Sequence, residues 1–470
     1  MNFDQITKSI SDFVWGVPLI VLILAAGLFL TIRTHCVQIK HFGKSLKFMF
    51  TGNKSEGKGE ISSFSALCVA LSATIGTGNI VGVATAIAAG GPGALFWMLV
   101  AAFLGMATKY AEGYLAIKYR HFDENGKVSG GPFYYIEKGM GKKWIWLAKL
   151  FAIFGALAGL MGIGTITQVN SISSAIGGFF DPNSKNIAFT IGENSYSWAV
   201  VIGGAIVTLA TALVVIGGIK RISSVSTIIV PFMAILYAVA VIIILCCNIT
   251  RVPAALLEIV KGAFNPQAVT GGVVGSMFIA IQKGVARGIF SNEAGLGSAP
   301  IATASAKTED AVREGLVTMT GTFIDTIVIC TLTGLAVILG GSWNKGLEGV
   351  SITMDAFKSG LPFPSQISSF VLMICLVFFA FTTILGWDFY GEKCLDYLSK
   401  GSKYVRFVYR ILYIVAVLVG PYLTVAAVWN IADIFNGLMA IPNVVALLVL
   451  SGIVAKETNA YVVKKKDRLE

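Results

Sequence analysis

The chain has 470 residues, of which 55% are hydrophobic and only 13% are charged, and its formal net charge is +11. A soluble domain usually carries about a quarter charged residues, so this composition excludes a water-soluble globular protein. The apolar residues fall in long runs, and a helix needs about 20 predominantly apolar residues to cross the hydrocarbon core of a bilayer. We therefore expect an all-α, polytopic membrane protein.

Eleven apolar runs predict membrane spans, and the short polar connectors between them indicate one membrane domain over residues 1–470. The predicted spans lie near residues 13–32, 62–89, 93–118, 146–177, 197–218, 222–246, 270–297, 315–341, 366–390, 404–428 and 431–455. The first run follows a segment with Asp4 and Asp12, so it lacks the basic start of a secretory signal peptide. We expect 13–32 to be retained as a helix.

The basic residues predict the orientation of the chain. Connectors on one side hold 25 of the 36 Lys and Arg residues, and those on the other side hold six. Cytoplasmic connectors of membrane proteins are enriched in Lys and Arg, so we expect the N-terminus outside and the C-terminus in the cytoplasm. The positive charge is then a topology signal, and we do not expect nucleic acid as a partner.

The second span contains a segment, 72–79, that is poorly suited to a continuous helix. Gly76 and Gly78 lie beside Thr and Asn residues in mid-span. Unwound backbone at membrane depth is tolerated only where it is buried or lines a cavity, so we predict a functional break in this helix. The alternative is a close-packing face of the Gly-x-x-x-Gly type, formed by Gly78 and Gly82.

The seventh span contains a comparable segment, residues 282–295. Lys283, Arg287 and Glu293 lie there at membrane depth or at its inner edge, where charges are costly and usually mark a pathway or a buried pair. We predict a second broken helix. The alternative for Glu293 is that it pairs with a cation and only ties helices together.

The two predicted breaks stand five spans apart. Without the helix at 13–32, the chain divides into 62–246 and 270–455, each with five spans and each beginning with its broken helix. An odd number of spans gives the two halves opposite orientations, which is typical of a five-plus-five inverted repeat with binding sites at the paired unwound segments.

Unwound helices offer free amides and free carbonyls. The amides of Thr77, Gly78 and Asn79 open a half-helix and can hold a carboxylate. The carbonyls from Ser72 to Ile75 end the preceding half-helix and can face a hard cation such as sodium.

The ninth span adds the adjacent hydroxyls of Thr382 and Thr383, which can complete an oxygen cage or simply bond to preceding carbonyls. In the same span, Trp387 can wall a small pocket or pack between helices.

Two further buried polar positions remain open. Gln168 in the fourth span can reach a substrate or join helices, because a buried amide needs partners. Asp325 in the eighth span can be protonatable, pair with Lys283 or Arg287, or neighbour an ion site.

No metal centre or enzyme is indicated. The seven cysteines form no Cys-x-x-Cys pair and the three histidines lie near loops. The sequence has no nucleotide-binding loop and no nucleophile elbow, so uphill transport has to draw on an ion gradient.

Three glycine-rich stretches together resemble the alanine or glycine:cation symporter family, and the likeness extends from about residue 60 to the end. They are 76–84 with 90–94, 130–135 and 288–295. The resemblance implies sodium-coupled uptake of alanine or glycine across the plasma membrane of a prokaryote, by a five-plus-five fold of the bacterial leucine-transporter type. The expected partners are a small neutral amino acid, co-transported sodium and the lipid bilayer, with the protein as a monomer or weak oligomer.

The resemblance also implies the placement of the ligands. One sodium is expected between the spans that hold Ser72, Ile75, Thr382 and Thr383. The substrate carboxylate is expected against Thr77, Gly78 and Asn79, with a second wall around Gln282. A second sodium near the substrate is in doubt, because its expected partner in the seventh span falls near Ala280, which has no side-chain oxygen. The competing hypotheses are a proton-coupled transporter that uses Asp325 or Glu293, and a channel or sensor.

Overall fold

The computed structural model describes residues 3–51, 57–124, 126–183, 185–191, 194–264, 268–270, 273–275, 277–423 and 425–466. Helices dominate these residues, and the strands form three two-stranded antiparallel hairpins. The all-α, polytopic fold class is therefore confirmed.

We number the membrane spans 1 to 11 in chain order. Their helices are, for span 1, Phe3–Val14 and Val17–Arg33; span 2, Ser63–Thr74, the π-helical Gly78–Gly82 and Val83–Gly90; span 3, Gly93–Tyr119; span 4, Ile145–Met161 and Ile166–Phe180; span 5, Trp198–Val215; span 6, Gly218–Cys247; span 7, Met277–Asn292 and Ala299–Thr303; span 8, Ala311–Thr322, the π-helical Phe323–Cys330 and Thr331–Leu339; span 9, Ser365–Leu398; span 10, Lys403–Val419; and span 11, Val425–Lys466.

The connectors contain shorter elements. The helical ones are Val37–Lys40, Phe42–Phe50, Pro132–Tyr135, Ile136–Met140, Lys142–Trp144, Ile249–Arg251, Val252–Phe264, Ser342–Asn344, Val350–Gly360 and Gly420–Tyr422. The hairpins pair β1 (His121–Phe122) with β2 (Val128–Ser129), β3 (Ile187–Ile191) with β4 (Asn194–Ser197), and β5 (Ala268–Thr270) with β6 (Val273–Gly275).

Each of the eleven predicted spans coincides with a helical stretch. Within the described residues, nine stretches are long and apolar enough to cross a membrane, and the bent pair in span 2 makes a tenth. Span 7 does not qualify by length, because Met277–Asn292 has 16 residues and continues only after a break. The predicted start of span 7 at residue 270 was wrong, since the described residues from 268 to 275 form a hairpin.

Span 2 is broken where the glycines predict it. The first helix ends at Thr74, the second begins at Gly78, and their axes differ by 51°. The break in span 7 lies near the end of the segment 282–295 and not at its start. Its helix runs intact through Gln282–Gly288 and ends at Asn292, and positive φ angles follow at Glu293 (56°), Gly295 (92°) and Gly297 (81°).

Span 4 is interrupted, although a continuous helix was predicted over 146–177. The interruption lies between Met161 and Ile166. Gly164 lies here against span 9, and a Cβ atom at this position would be only 2.4 Å from the Cβ of Trp387. Close approach of spans 4 and 9 therefore requires glycine, and the helix unwinds at that contact.

The broken spans lie inside the bundle. Span 3 packs against spans 7 and 8, and the second half of span 2 packs against span 7. Spans 5 and 10 lie at the periphery and expose large apolar side chains, for example Ile206, Leu209 and Phe407, each 63% exposed. These side chains face the surrounding lipid. Span 1 packs against spans 3 and 11, and the division of the other ten spans into two repeats remains a prediction.

Candidate substrate and ion site

The break in span 2 is lined by polar groups from three spans. The Gly76 N–H donates to Asn79 Oδ1 (2.9 Å), and the Thr77 N–H donates to Gln168 Oε1 (3.1 Å). Gly78 packs on the backbone of Ser291 in span 7. The structure therefore brings Thr77, Gly78, Asn79 and Gln168 together, as the predicted carboxylate site requires.

Gln168 is fixed in this position by the break in span 4. Its Nε2 donates to the carbonyl of Ile163 (2.8 Å), which leaves Oε1 directed at Thr77. The hydroxyl of Thr77 is buried and, within the described part of the chain, has no hydrogen-bond partner. A buried hydroxyl without a partner is costly, so this oxygen is available to a ligand.

One pair of the predicted sodium ligands is aligned across spans 2 and 9. Thr383 Oγ1 lies 3.3 Å from the Ile75 carbonyl oxygen and 3.0 Å from the Phe379 carbonyl oxygen. Two oxygens 3.3 Å apart can both contact one cation at about 2.4 Å, a distance typical of oxygen ligands to hard ions of this size.

The hydroxyls of Thr382 and Thr383 both bond within their own helix. Thr382 Oγ1 lies 3.0 Å from the carbonyl oxygens of both Phe378 and Phe379. The ordinary back-bonding considered as the alternative for this pair is thus present at both residues, and only Thr383 also reaches the Ile75 carbonyl in span 2. At Ser72, where the predicted ligand is the carbonyl oxygen, the hydroxyl donates to the carbonyl of Val69 (2.7 Å).

Trp387 and Gln282 lie away from the break in span 2. Trp387 is fully buried and its Nε1 donates to Glu293 Oε1 (2.8 Å) at the break of span 7. Gln282 Nε2 is 3.5 Å from the Trp15 carbonyl oxygen in span 1. Gln282 precedes Ser291 by nine residues, roughly 13 Å along a helix, so the structure does not bring it to Gly78.

Asp325 was noticed in the sequence but not assigned to the site, and the structure places it there. Its Oδ1 accepts from Asn79 Nδ2 (2.7 Å), and its Oδ2 accepts from Ser291 Oγ (2.9 Å) and Thr326 Oγ1 (2.6 Å). The carboxylate thereby holds the Asn79 side chain toward Gly76. The signal that identifies Asp325 is an isolated acid inside an apolar run, but two of its partners, Asn79 and Ser291, belong to other spans.

Pairing of Asp325 with Arg287 is not observed. Arg287 instead forms a two-pronged ion pair with Asp433 in span 11, at 3.0 and 2.7 Å. Its guanidinium also lies over the rings of Phe290 and Trp429, at 5.4 and 5.0 Å from their centroids. Arg287 therefore ties span 7 to span 11 beside the site.

A cavity of about 550 Å³ lies on the Lys- and Arg-poor side of the protein. Its lining includes Pro182, Val350 and Trp429, together with Val81 and Asn170. Val81 and Asn170 each follow a site residue, Asn79 and Gln168, by two positions. The cavity is thus next to the site in the chain, on the side predicted to be external.

The opposite side is closed by backbone pairing between the segments that flank spans 2 and 7. The N–H groups of Glu60 and Ile61 donate to the Ser305 carbonyl (2.9 and 3.2 Å), and the Lys307 N–H donates to the Ile61 carbonyl (2.8 Å). We call this pairing the inner bridge. Gly59 permits it, because a Cβ there would lie 2.4 Å from the carbonyl oxygen of Ala306.

The whole sequence, residues 1–470, matches the sodium:alanine symporter family. The chain belongs to this family. Among its relatives, the symporter is 46% identical to the sodium/alanine symporter AgcS of Methanococcus maripaludis, over 98% of both chains. It is 37% identical to the probable sodium/glutamine symporter GlnT of Bacillus subtilis, over 98% of this chain and 91% of the relative.

A comparison of structures supports the same fold. A manganese transporter of Eremococcus coleocola superposes with a TM-score of 0.52 at 14% sequence identity, over 84% of this chain and 82% of that chain. The chain therefore shares the fold of that transporter. The symporter is a multi-pass membrane transporter and not an enzyme, and it belongs among sodium-coupled amino-acid symporters.

Proposed function

We propose that the symporter imports alanine and glycine together with sodium across the plasma membrane of a prokaryote, by alternating access. The observation that carries this proposal is the break in span 2, where backbone amides on one side and the Ile75 carbonyl on the other face groups from spans 4 and 9. One break thus offers donors for a carboxylate and oxygens for a cation.

The substrate carboxylate binds at Thr77, Gly78 and Asn79. Gln168 and Asn79 accept hydrogen bonds from the amides of Thr77 and Gly76. A carboxylate replaces one of these neutral acceptors, and a charged acceptor forms the stronger hydrogen bond. The buried Thr77 hydroxyl gains the partner that it lacks among the described residues.

Sodium binds first to the Ile75 carbonyl and the Thr383 hydroxyl, which already face each other at 3.3 Å. The Ser72 carbonyl and the Thr382 hydroxyl complete the set of oxygen ligands, the hydroxyl once it turns away from the carbonyls of its own helix. Sodium and substrate then occupy the two sides of one break, so each ligand favours the same geometry of span 2 and the two bind cooperatively.

The break in span 2 is closely packed against spans 9 and 7. A Cβ at Gly76 would lie 2.4 Å from Thr383 Oγ1, and a Cβ at Gly78 would lie 3.1 Å from the Cα of Ser291. Glycine at both positions therefore permits this packing, and the choice of alanine and glycine as substrates is supported by the sodium:alanine symporter family and the relative AgcS.

Alternating access uses the inner bridge and the cavity on the opposite side. The cavity admits ligands while the inner bridge is closed. Once sodium and substrate have bound, the bridge opens as the repeat 62–246 rocks against 270–455, and both ligands leave to the cytoplasm.

Uptake of labelled alanine into proteoliposomes tests the proposal. We expect accumulation with sodium outside and none above background with potassium outside. Unlabelled glycine should compete and glutamine should not. Equal uptake with both ions would refute the sodium coupling, and stronger competition by glutamine than by glycine would refute the substrate assignment.

A further inference from the structure

Three charged side chains meet at the break of span 7, in the centre of the protein. Lys109 and Glu112 lie on one face of span 3, and Glu293 opens the break; their exposures are 2%, 0% and 0%. Lys109 Nζ is 3.9 Å from Glu112 Oε2, and in the described part of the chain neither atom has a hydrogen-bond partner. Charges this deep are costly and usually mark a functional site.

The charges of this cluster do not balance. The ammonium of Lys109 acts electrostatically on Glu112, on Glu293 and also on Asp325. If all three acids are ionised, two negative charges remain uncompensated in a medium of low dielectric constant. Isolated buried charges are avoided in proteins, mostly by neutralisation, so at least one acid requires a bound cation.

The surroundings of Glu112 favour its ionised form. Its Oε1 accepts from the Gly295 N–H (3.1 Å) and from Asn443 Nδ2 (2.7 Å), and its Oε2 faces Lys109. These partners can only donate, so a proton on Glu112 would find no acceptor among them. Asp325 is likewise stabilised as an anion, by three donors.

Glu293 accepts hydrogen bonds from only two side chains, against three at Asp325, and one of its oxygens faces a hydroxyl, as Oδ2 of Asp325 also does. Its Oε1 accepts from Trp387 Nε1 (2.8 Å), which can only donate. Its Oε2 is hydrogen-bonded to the hydroxyl of Ser298, and a hydroxyl donates or accepts as required. A proton on Oε2 can therefore be donated into this hydrogen bond, with the Ser298 oxygen as the acceptor.

We propose that Glu293 is a proton-binding site of the symporter, with the proton on Oε2 and the Ser298 hydroxyl as its acceptor. With Glu293 neutral and Lys109 paired to Glu112, only Asp325 carries an unpaired charge, and its three donors solvate it. The inference rests on the proposed function for its link to transport. Trp387 connects Glu293 to the sodium site, because it donates a hydrogen bond to Glu293 and lies one helical turn beyond Thr383.

Other titratable groups around Glu293 are accounted for. They are Lys109 and Glu112 on span 3, Asp325 on span 8, Tyr390 on span 9, and Tyr135, which reaches the cluster through its hydrogen bond to Asn443. The two tyrosines are neutral at physiological pH. Asp325 also faces hydroxyls, but it accepts hydrogen bonds from three side chains, whereas Glu293 accepts from two and has no assigned cation, so Glu293 is the acid less well stabilised as an anion.

The proposal implies that uptake depends on pH through the titration of Glu293. Loss of the proton leaves an uncompensated charge beside the break, so sodium-driven uptake should fall as the pH rises. A single titrating group limits this fall to about tenfold per pH unit. In Glu293→Gln, the amide can accept from Trp387 and donate to Ser298 as the protonated acid does, so uptake should persist and become independent of pH.

The experiment compares wild type, Glu293→Gln and the control Glu124→Gln in proteoliposomes with equal pH on both sides. Glu124 is exposed in the connector after span 3, so its variant should keep the wild-type pH profile. A flat profile for Glu293→Gln alone supports the proposal. A wild-type profile for Glu293→Gln, or a folded Glu293→Gln protein that binds sodium but transports nothing at any pH, overturns it.

Two substrate-free measurements separate this proposal from the proposed function. A proton held in the folded protein and released by the unfolded chain makes the unfolding temperature of wild type fall as the pH rises, and this slope should be reduced in Glu293→Gln. If that variant does not fold, infrared spectroscopy of wild type at neutral pH replaces this measurement. Absence of the band of a protonated carboxylic acid would then refute the proposal. Failure of alanine uptake in wild type would refute the function without affecting either result.

Discussion

Replacement of Thr383 by valine tests the sodium site directly. Valine keeps the shape of threonine and removes the hydroxyl that lies 3.3 Å from the Ile75 carbonyl oxygen. A hydrogen bond to a charged group contributes about 1.5–3 kcal/mol, and we assign a similar value to one oxygen ligand of sodium. Since about 1.4 kcal/mol corresponds to a tenfold change in affinity, the sodium Kd should rise about 10- to 150-fold.

The assay is sodium-dependent alanine uptake over a range of sodium concentrations, with Thr382→Val and Thr85→Val as matched variants. The Thr382 hydroxyl does not reach span 2 and joins the sodium only after it turns from the carbonyls of its own helix, so its loss should weaken sodium binding less than the loss of the Thr383 hydroxyl. Thr85 lies in span 2 and bonds to the Val81 carbonyl, away from the site, and its variant should behave as wild type. If Thr382→Val weakens sodium binding as much as Thr383→Val, the alignment seen here does not identify the first ligand.

Three further outcomes are expected. Asn79→Ala leaves two buried hydrogen-bonding groups unpaired, at about 1–3 kcal/mol each, and should abolish uptake and counterflow in a protein that still inserts; intact counterflow would exclude Asn79 from the site. Gly59→Val cannot keep the inner bridge, so the bridged amides should exchange hydrogen faster than in wild type, whereas Gly43→Val, at a position with open space, should not change them. Arg287→Met and Asp433→Asn each leave one charge of a largely buried ion pair without its partner, at a cost of about 3–5 kcal/mol. Each single variant should therefore lower the unfolding temperature more than the double variant does. Additive effects of the two substitutions would contradict this.

The break in span 2 shows what can be predicted from the local sequence. Two glycines beside polar residues in an apolar run weaken the helix wherever the run is placed, so the position of the break follows from the sequence. The chain composition likewise determined the all-α membrane fold. The Lys and Arg distribution predicted which side is cytoplasmic, and the cavity opens on the other side.

Local sequence was a poorer guide to the partners of each polar side chain. Gln282 belongs to the predicted wall by its place in the motif, yet the helix turns it toward span 1. Span 4 was predicted as continuous, because the cause of its interruption is the contact with Trp387, which lies more than 200 residues later in the chain.

Composition and periodicity depend on neighbouring residues, so the sequence alone determined the all-α membrane fold, the break in span 2 and the family. Hydrogen bonds in the site join residues that are far apart in the chain, so only the tertiary structure decided that Asp325 holds Asn79, that Arg287 pairs with Asp433 and that Glu293 faces Trp387 and Ser298. A buried charge has to find a partner somewhere, but the packing of the helices determines which partner is within reach.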